Sequence, residues 1–533
     1  MTGYLRYLIL ALVALATPLL AYGWHAGMLS GWWSLATALL ALLGLHDLTQ
    51  TGHSILRNYP ILGHLRFLLE TVRPEIRQYL LESETDAVPF SRLQRATVYQ
   101  RAKQALDKRP FGTQLNVYQA GYEWINHALL PAPVQHHDFR VTIGGPACTH
   151  PYSASVFNIS AMSFGSLSAN AIRSLNRGAK MGGFAHDTGE GSISSYHREH
   201  GGDLIWEIGS GYFGCRDPEG RFDPDRFVAN ARDPQVKMIE VKLSQGAKPG
   251  HGGVLPGPKV TPEIAQARGV PPWVDCVSPA SHSAFGTPIG LLKFVDALRT
   301  LSGGKPTGFK LAIGHPWEWF AIAKAMAETG ITPDFIVVDG KEGGTGAAPV
   351  EFIDHIGTPM QEGLILVRDT LVGLKLRDRV RIGAAGKVVS GYDIARTMAL
   401  GADWCNAARG FMFALGCVQA MNCHTGKCPT GVTTQDPVRQ RALVVTDKAQ
   451  RVFNFQQNTL KALAEMIAAA GLTHPSQLRT HHIVRRVTDH EIKLLSTLYP
   501  PMQPGELLDG EAQHPVYRMF WPKARPDSFS AAL

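Results

Sequence analysis

Between about Ser153 and Arg409, short apolar runs alternate with helix-length or loop-length stretches, and this alternation constrains the fold more than anything else in the chain. Eight runs read as strands: 155–161, 183–189, 238–244, 274–279, 307–313, 334–340, 379–386 and 403–409. Helical stretches lie between most of them, at 168–181, 287–301, 315–329, 361–376 and 390–400. Strands separated by crossover helices predict an α/β fold, a parallel (β/α)8 barrel of the TIM type. A doubly wound open sheet is the alternative. It is weakened because no strand–GxGxxG–helix unit occurs; Gly343-Gly344-Thr345-Gly346 departs from that pattern. The long stretch 190–237 reads as a loop-rich insertion.

Such a fold needs a large core, and the composition supplies one. Of 533 residues 45% are apolar and only 18% charged, with 54 glycines and 34 prolines. That mix excludes global disorder and suits a buried sheet ringed by tight loops. The formal net charge of +8 favours anionic partners. No block of five Lys or Arg is present, which argues against nucleic acid.

Residues 1–46 read as a transmembrane helical hairpin. Tyr7 to Trp24 and Met28 to Leu45 contain no Asp, Glu, Lys or Arg, and each is long enough for roughly 30 Å of hydrocarbon. Trp24, Trp32 and Trp33 lie near the joint, as an interfacial belt would place them. Arg6 precedes the first run, while Arg57, Arg66 and Arg73 follow the second. The positive-inside rule then puts the chain in the inner, cytoplasmic membrane with its catalytic domain facing the cytoplasm. A signal peptide is the rival, since Ala14 to Ala16 reads ALA. Residues 47–150 are expected to form a helical connecting region. Its basic, apolar mixture fits either a solvated collar or a segment lying against anionic lipid.

A barrel places its chemistry at the C-terminal ends of its strands. Here those ends are rich in glycine, which exposes backbone N–H groups and admits a phosphate closely. Met162, Ser163, Gly344 and Thr345 are candidate cofactor contacts on such ends. Phosphate commonly sits at the last two strands, which here means Gly383, Gly386 and Lys387 together with Arg409 and Gly410. Lys242, Gln245, Lys248 and Arg268 gather positive charge and donors in one region. They would hold a carboxylate or the negative charge of a reduced flavin. Lys310 lies inside an apolar strand, where a buried ammonium requires a partner; it joins the candidate cofactor contacts.

The densest chemical signal is Cys417, Cys423 and Cys428, spaced C-x5-C-x4-C and followed by Pro429. Thiolates this close bind soft metal or an iron–sulfur cluster. Three without a fourth fit a 3Fe–4S cluster, whereas His424 as fourth ligand keeps zinc open. Cys276 and Cys405 fall in predicted strands and read as packing residues.

Together these residues resemble the FMN-binding synthase domain of glutamate synthase, in a short, membrane-attached form. The resemblance rests on SAMSFGSLS, DTGEGS, QGAKPGHGGVLPGPKV, GGTGAAP and the cysteine triplet running into PTGVTTQ, from about Asn158 to Gln435. It implies FMN in the barrel and a 3Fe–4S cluster on the three cysteines. It also implies reductive amination, in which ammonia condenses with 2-oxoglutarate and reduced FMN delivers hydride to the imine. Electrons would come from ferredoxin or a pyridine-nucleotide-dependent subunit. Glu190 matches an acid beside flavin and substrate. Lys242, Gln245, Lys248 and Arg268 match positions that bind or polarise 2-oxoglutarate, with Glu190, Lys242 and Lys248 as the catalytic set. The family's GEGGQLPG is GHGGVLPG here, so His251 and Val254 depart from it. Ser283 and Thr287 also depart, and Thr287 is placed on the substrate face. No amidotransferase domain is recognised, so glutamine hydrolysis in cis is not expected. The implied alternatives are an FMN oxidoreductase acting on another small acid or amine, and a membrane-attached electron-transfer protein. The expected domains are thus the hairpin 1–46, the connecting region 47–150, the barrel with its cysteine loop 151–435, and a helical C-terminal extension 436–533.

Overall fold

A computed structural model describes residues 5–85, 88–510 and 512–532; the first four residues of the expected hairpin lie outside these. The chain divides into two compact units, Met1–Ala87 and Val88–Leu533.

In the first unit, helices Leu8–His25 and Gly31–Thr49 pack together as a hairpin. Gly44 lets the two approach: a Cβ there would stand 2.5 Å from Leu10 Cδ1. Among the described residues, only Leu8–His25 is long and apolar enough to cross a membrane. The expected pair of spans is therefore reduced to one candidate. The second helix is diluted by Ser34, Thr37, Gly44 and His46, and its last turn carries a fully buried Asp47. The Asp47 carboxylate accepts from the Ile61 backbone N–H at 3.0 Å and lies 2.9 Å from His64 Nε2.

The second unit is built on a closed barrel of eight parallel strands. They are β1 (Phe157–Ile159), β2 (His186–Asp187), β3 (Leu204–Ile208), β4 (Val236–Lys242), β5 (Thr307–Leu311), β6 (Phe335–Asp339), β7 (Arg381–Ala385) and β8 (Trp404–Ala407). Each pairs with its neighbours in the chain, and β8 closes on β1. The expected barrel is thus observed, with one strand misassigned. Residues 274–279 supply only Cys276–Val277, which pair antiparallel with Val254–Leu255 outside the barrel. The true third strand, β3, lies inside the stretch expected to be an insertion, as does helix Pro224–Ala231. All five residues of β3 are buried, and Glu207 interrupts the apolar run that would have marked it.

Local chemistry fixes the crossover helices. Ser168 Oγ accepts from the Ala171 N–H ahead of Ala169–Gly182, and Gly183 ends that helix in the left-handed region. Ser390 forms a capping box for Gly391–Ala399. Proline occupies the first turn of Pro288–Leu301 and of Pro316–Thr329. Beyond β8, the 25-residue helix Val445–Ala469 packs on both Ala169–Gly182 and Gly391–Ala399. It takes the place of the eighth outer helix, so Val445–Ala469 is part of the barrel's wall. A Cβ on Gly178 would meet Val452 at 2.5 Å, which shows how closely this helix is seated.

Inward residues alternate along each strand. Near the N-terminal ends they form an apolar floor that includes Ile205, Met238, Phe335, Val337 and Trp404. One step toward the mouth lies an ionic layer of Asp187, Glu207, Glu240 and Lys310, all buried.

Candidate active site

The ends of β2, β3 and β4 border a cleft lined by Glu190, Ser210, Lys242, Ser244, Gln245, Lys248, His251 and Ser278. Four of the expected substrate and catalytic residues therefore converge. Lys242 Nζ lies 3.1 Å from Glu190 Oε2. Burial alone would raise the Glu190 carboxyl, but Lys242, aided by Arg268 and Lys248, outweighs it and holds the pKa below the usual value. Burial pulls the Lys248 ammonium down.

Two loops hold this cleft in shape. Asp339, at the end of β6, accepts from the Gly246 N–H at 2.8 Å. A Cβ on Gly246 would stand 1.7 Å from the Gly340 carbonyl oxygen, so only glycine permits the approach. His282 is buried, with Nε2 2.8 Å from the Lys242 carbonyl oxygen and Nδ1 3.1 Å from the Tyr212 hydroxyl. It positions the end of β4. Sequence reasoning passed over it although it stands in the strand-end run SPASHS.

The other expected contacts divide. Arg268 is buried beside the cleft. Its Nη2 donates to the Phe164 carbonyl oxygen at 3.2 Å, and its guanidinium lies 5.2 Å from the Phe213 ring centroid. Its Nε has no hydrogen-bond partner. Ser163, 3.5 Å from Arg268, and Met162 line the same inner wall, where Gly189 would bring a Cβ within 2.7 Å of the Ser163 nitrogen. Thr287 is absent from the cleft lining; its hydroxyl caps helix Pro288–Leu301, accepting from the Gly290 N–H at 3.0 Å. His251 does line the cleft and packs edge-on against Phe352 with centroids 5.2 Å apart. Val254 is exposed on the small antiparallel pair outside the barrel.

Lys310 reaches neither the cleft lining nor the mouth. Its ammonium bonds the Glu207 carboxylate and lies 3.3 Å from Glu240 Oε1. Burial opposes its charge, but Glu207, Glu240 and Asp187 together hold its pKa well above the ordinary value. Burial, then Glu207, pushes Asp187 up to about 7, and burial raises Glu240 well above the usual carboxyl range. The three acids place oxygens within 4.8 Å of one another; the lysine pairs with Glu207 and Glu240, and both buried Glu240 oxygens lack a hydrogen-bond partner among the described residues. The expected need for a partner is met by Glu207 and Glu240.

At the far side of the mouth, Lys387 and Arg409 both lie over the Phe90 ring, at 5.9 and 4.7 Å from its centroid. Lys387 is held at a φ of +53°. Among the described residues neither forms an ion pair with a carboxylate; Arg409 donates to the Glu342 carbonyl oxygen. Burial lowers both, Arg409 to about 10. Two poorly hydrated cations at the ends of β7 and β8 are the donor set a phosphate dianion requires. A Cβ on Gly344 would sit 3.0 Å from Arg409 Cζ, so that loop borders the same point, while Thr345 is exposed. Gly386 faces Met360. Gly383 and Gly410 belong elsewhere. Gly383 makes room for the Trp404 indole in the barrel floor, where a Cβ would stand 2.4 Å away, and Gly410 is buried against Phe455.

The three loop cysteines are free thiols after helix Arg409–Leu415. Burial raises Cys417 to about 12. Cys428 is brought down to about 7, its burial outweighed by hydrogen bonds from Thr430 and Thr433. Among the described residues, no three of Cys417, Cys423, Cys428 and His424 converge to the spacing of ligands on one ion. The described residues thus show no gathered set of three ligands either for the zinc alternative or for the expected 3Fe–4S cluster. Lys259 Nζ donates to the Cys423 carbonyl oxygen at 2.9 Å, and the Tyr99 hydroxyl to that of Cys417 at 2.6 Å, tying the loop to the barrel unit.

A parallel (β/α)8 barrel with an ion-paired Lys–Glu cleft and a cationic rim defines a barrel enzyme by its site as well as its fold. The chain belongs to the glutamate synthase family, whose conserved region matches residues 147–473. It is therefore an oxidoreductase. It is 37% identical over 495 residues to the glutamate synthase large subunit-like protein YerD of Bacillus subtilis (strain 168), covering 85% of this chain and 94% of that one. It is 34% identical over 339 residues to the archaeal-type glutamate synthase (NADPH) of Thermotoga neapolitana, covering 63% of this chain and 64% of that one. Against the glutamate synthase (NADPH) large chain of Bacillus subtilis, 33% identity extends over 65% of this chain but only 22% of that one.

Proposed function

We propose that this protein is an FMN-dependent enzyme of reductive amination, forming glutamate from 2-oxoglutarate and ammonia. The observation that carries the reading is the Lys242–Glu190 pair at 3.1 Å with Lys248 beside it, at strand ends of a family member. Lys387 and Arg409 would hold the FMN phosphate. Bound and reduced, FMN would supply hydride to the carbon of the imine. Lys242 and Lys248 would hold substrate carboxylate and polarise the reacting carbon. Glu190, kept ionised by Lys242, is placed to take up the proton that ammonia loses on condensation. Arg268, buried and lacking a carboxylate partner, supplies further positive field from behind Ser163.

The three free thiols on one loop support a 3Fe–4S cluster at Cys417, Cys423 and Cys428. Ligands of such a cluster bind different irons, so they span more than ligands of a single ion do. The cluster would supply one-electron transfer from a donor such as ferredoxin or a pyridine-nucleotide-dependent subunit. Leu8–His25 would anchor the protein in the inner membrane with the barrel in the cytoplasm, as the arginines flanking the hairpin support.

The deciding measurement is single-turnover reoxidation of dithionite-reduced flavin. Reoxidation by 2-oxoglutarate plus ammonium, and by neither alone, is expected. Reoxidation only by another small acid or amine would replace the substrate. No reoxidation by any such compound, with electrons passing only to protein partners, would leave an electron carrier.

A further inference from the structure

Helix Leu62–Ile76 and the π-helical turn Arg77–Leu81 that continues it carry an unusual surface. Leu62, Leu65, Leu69, Val72 and Ile76 recur at intervals of three and four, so they share one face at 3.6 residues per turn. All five are exposed. Arg66, Arg73 and Arg77 fall together along one flank of that stripe by the same spacing. Arg66 pairs with Glu70 at 2.9 Å, and among the described residues no carboxylate pairs with Arg73 or Arg77.

The start of this helix is fixed to one end of the hairpin. Asp47 holds both the Ile61 backbone and His64. Arg6, just before the first hairpin helix, donates to Asn58 Oδ1 at 3.2 Å. Leu10 and Ile61 both approach Gly44. The helix thus leaves from the end of the hairpin where Arg6 and Arg57 also lie, the end that faces the anionic leaflet if Leu8–His25 spans.

We propose that Leu62–Leu81 lies in the headgroup layer of an anionic membrane leaflet, with its leucine stripe toward the acyl chains and Arg66, Arg73 and Arg77 reaching lipid phosphate. Continuity with the candidate span puts the helix at the right depth. The arginine flank gives the right sign, and an exposed apolar stripe beside basic side chains is the composition of an interfacial helix. This inference rests on the reading of Leu8–His25 as a membrane span.

The test is hydrogen exchange of residues 62–81 in the full chain, in nanodiscs of phosphatidylcholine alone or with phosphatidylserine. Stronger protection with phosphatidylserine is expected. It should fall with R66Q, R73Q and R77Q by roughly fivefold per arginine removed, while flavin content stays unchanged. Equal protection in both lipids and in detergent would show the stripe covered by this chain or by a second copy, and would overturn the inference; the particle mass separates those two. Carbonate extraction, run in parallel, tests the span itself. Release by carbonate removes the span, whereas a carbonate-resistant chain with an unprotected helix removes only the interfacial helix.

Discussion

Lys310 is an ammonium ion held among three buried carboxylates, so its removal leaves acids that are most readily neutralised by protons. Lys310→Met is expected to destabilise the barrel by about 3–5 kcal/mol. The loss should be larger at pH 8 than at pH 5, because acid supplies the missing protons; thermal unfolding at both values checks it. Asp187 gives the matching test. Its folded pKa, about 7, lies above that of an ordinary carboxyl, so the folded chain binds the extra proton. The energetic penalty is absent where both states are protonated, below about pH 4, and complete above pH 7. Asp187→Asn should therefore gain melting temperature over wild type progressively across that window and level off above it. A constant difference across pH would mean that Asp187 does not titrate there. Much of this scale was legible in the sequence. A lysine inside TGFKLAI announced a buried charge, and the strand ends announced Glu190 and Lys242. The partners of Lys310 were hidden, because Glu207 sits on a strand concealed by its own charge. The use of Thr287 was hidden too, since its pattern is also that of a helix cap.

Crossover helices and their caps were readable because serine, proline and glycine mark helix ends by mechanism. The strand count reached eight through one wrong member, as a two-residue pairing at Cys276–Val277 and a barrel strand share the same apolar signature over so short a run. Least readable was the role of Val445–Ala469. An amphipathic helix declares that it has a buried face, but the surface that covers it is decided by the closed barrel. Truncation at residue 435 is expected to yield insoluble or molten protein, whereas a chain starting at Val88 should fold and bind flavin. Circular dichroism and flavin content of the two fragments check this. Gly178→Val should lower stability by about 1–3 kcal/mol, since the added methyl groups enter space held by Val452.

On the scale of the whole molecule, the phosphate-suited rim and the cysteine loop are separable. Cys423→Ser is expected to abolish or convert the iron–sulfur signal, because a hydroxyl is a poor ligand for soft iron, while leaving flavin bound at Lys387 and Arg409. Iron and sulfide analysis beside flavin content decides it. Unchanged iron with an intact three-iron spectrum would remove Cys423 from the ligand set. Turnover with the physiological donor should fail in this variant, whereas reoxidation of chemically reduced flavin by imine should persist.

The seating of Val445–Ala469 against the first and seventh outer helices also sets an order of events during synthesis. The hairpin, complete by Thr49, leaves the ribosome first. The wall of the barrel lacks its last piece until about Ala469 has followed. At about 5–20 residues per second, that interval is roughly 20–80 s. Throughout it one side of the barrel stays open. Flavin can find a finished pocket only afterwards, so loading of the cofactor belongs to the completed polypeptide rather than to the growing one.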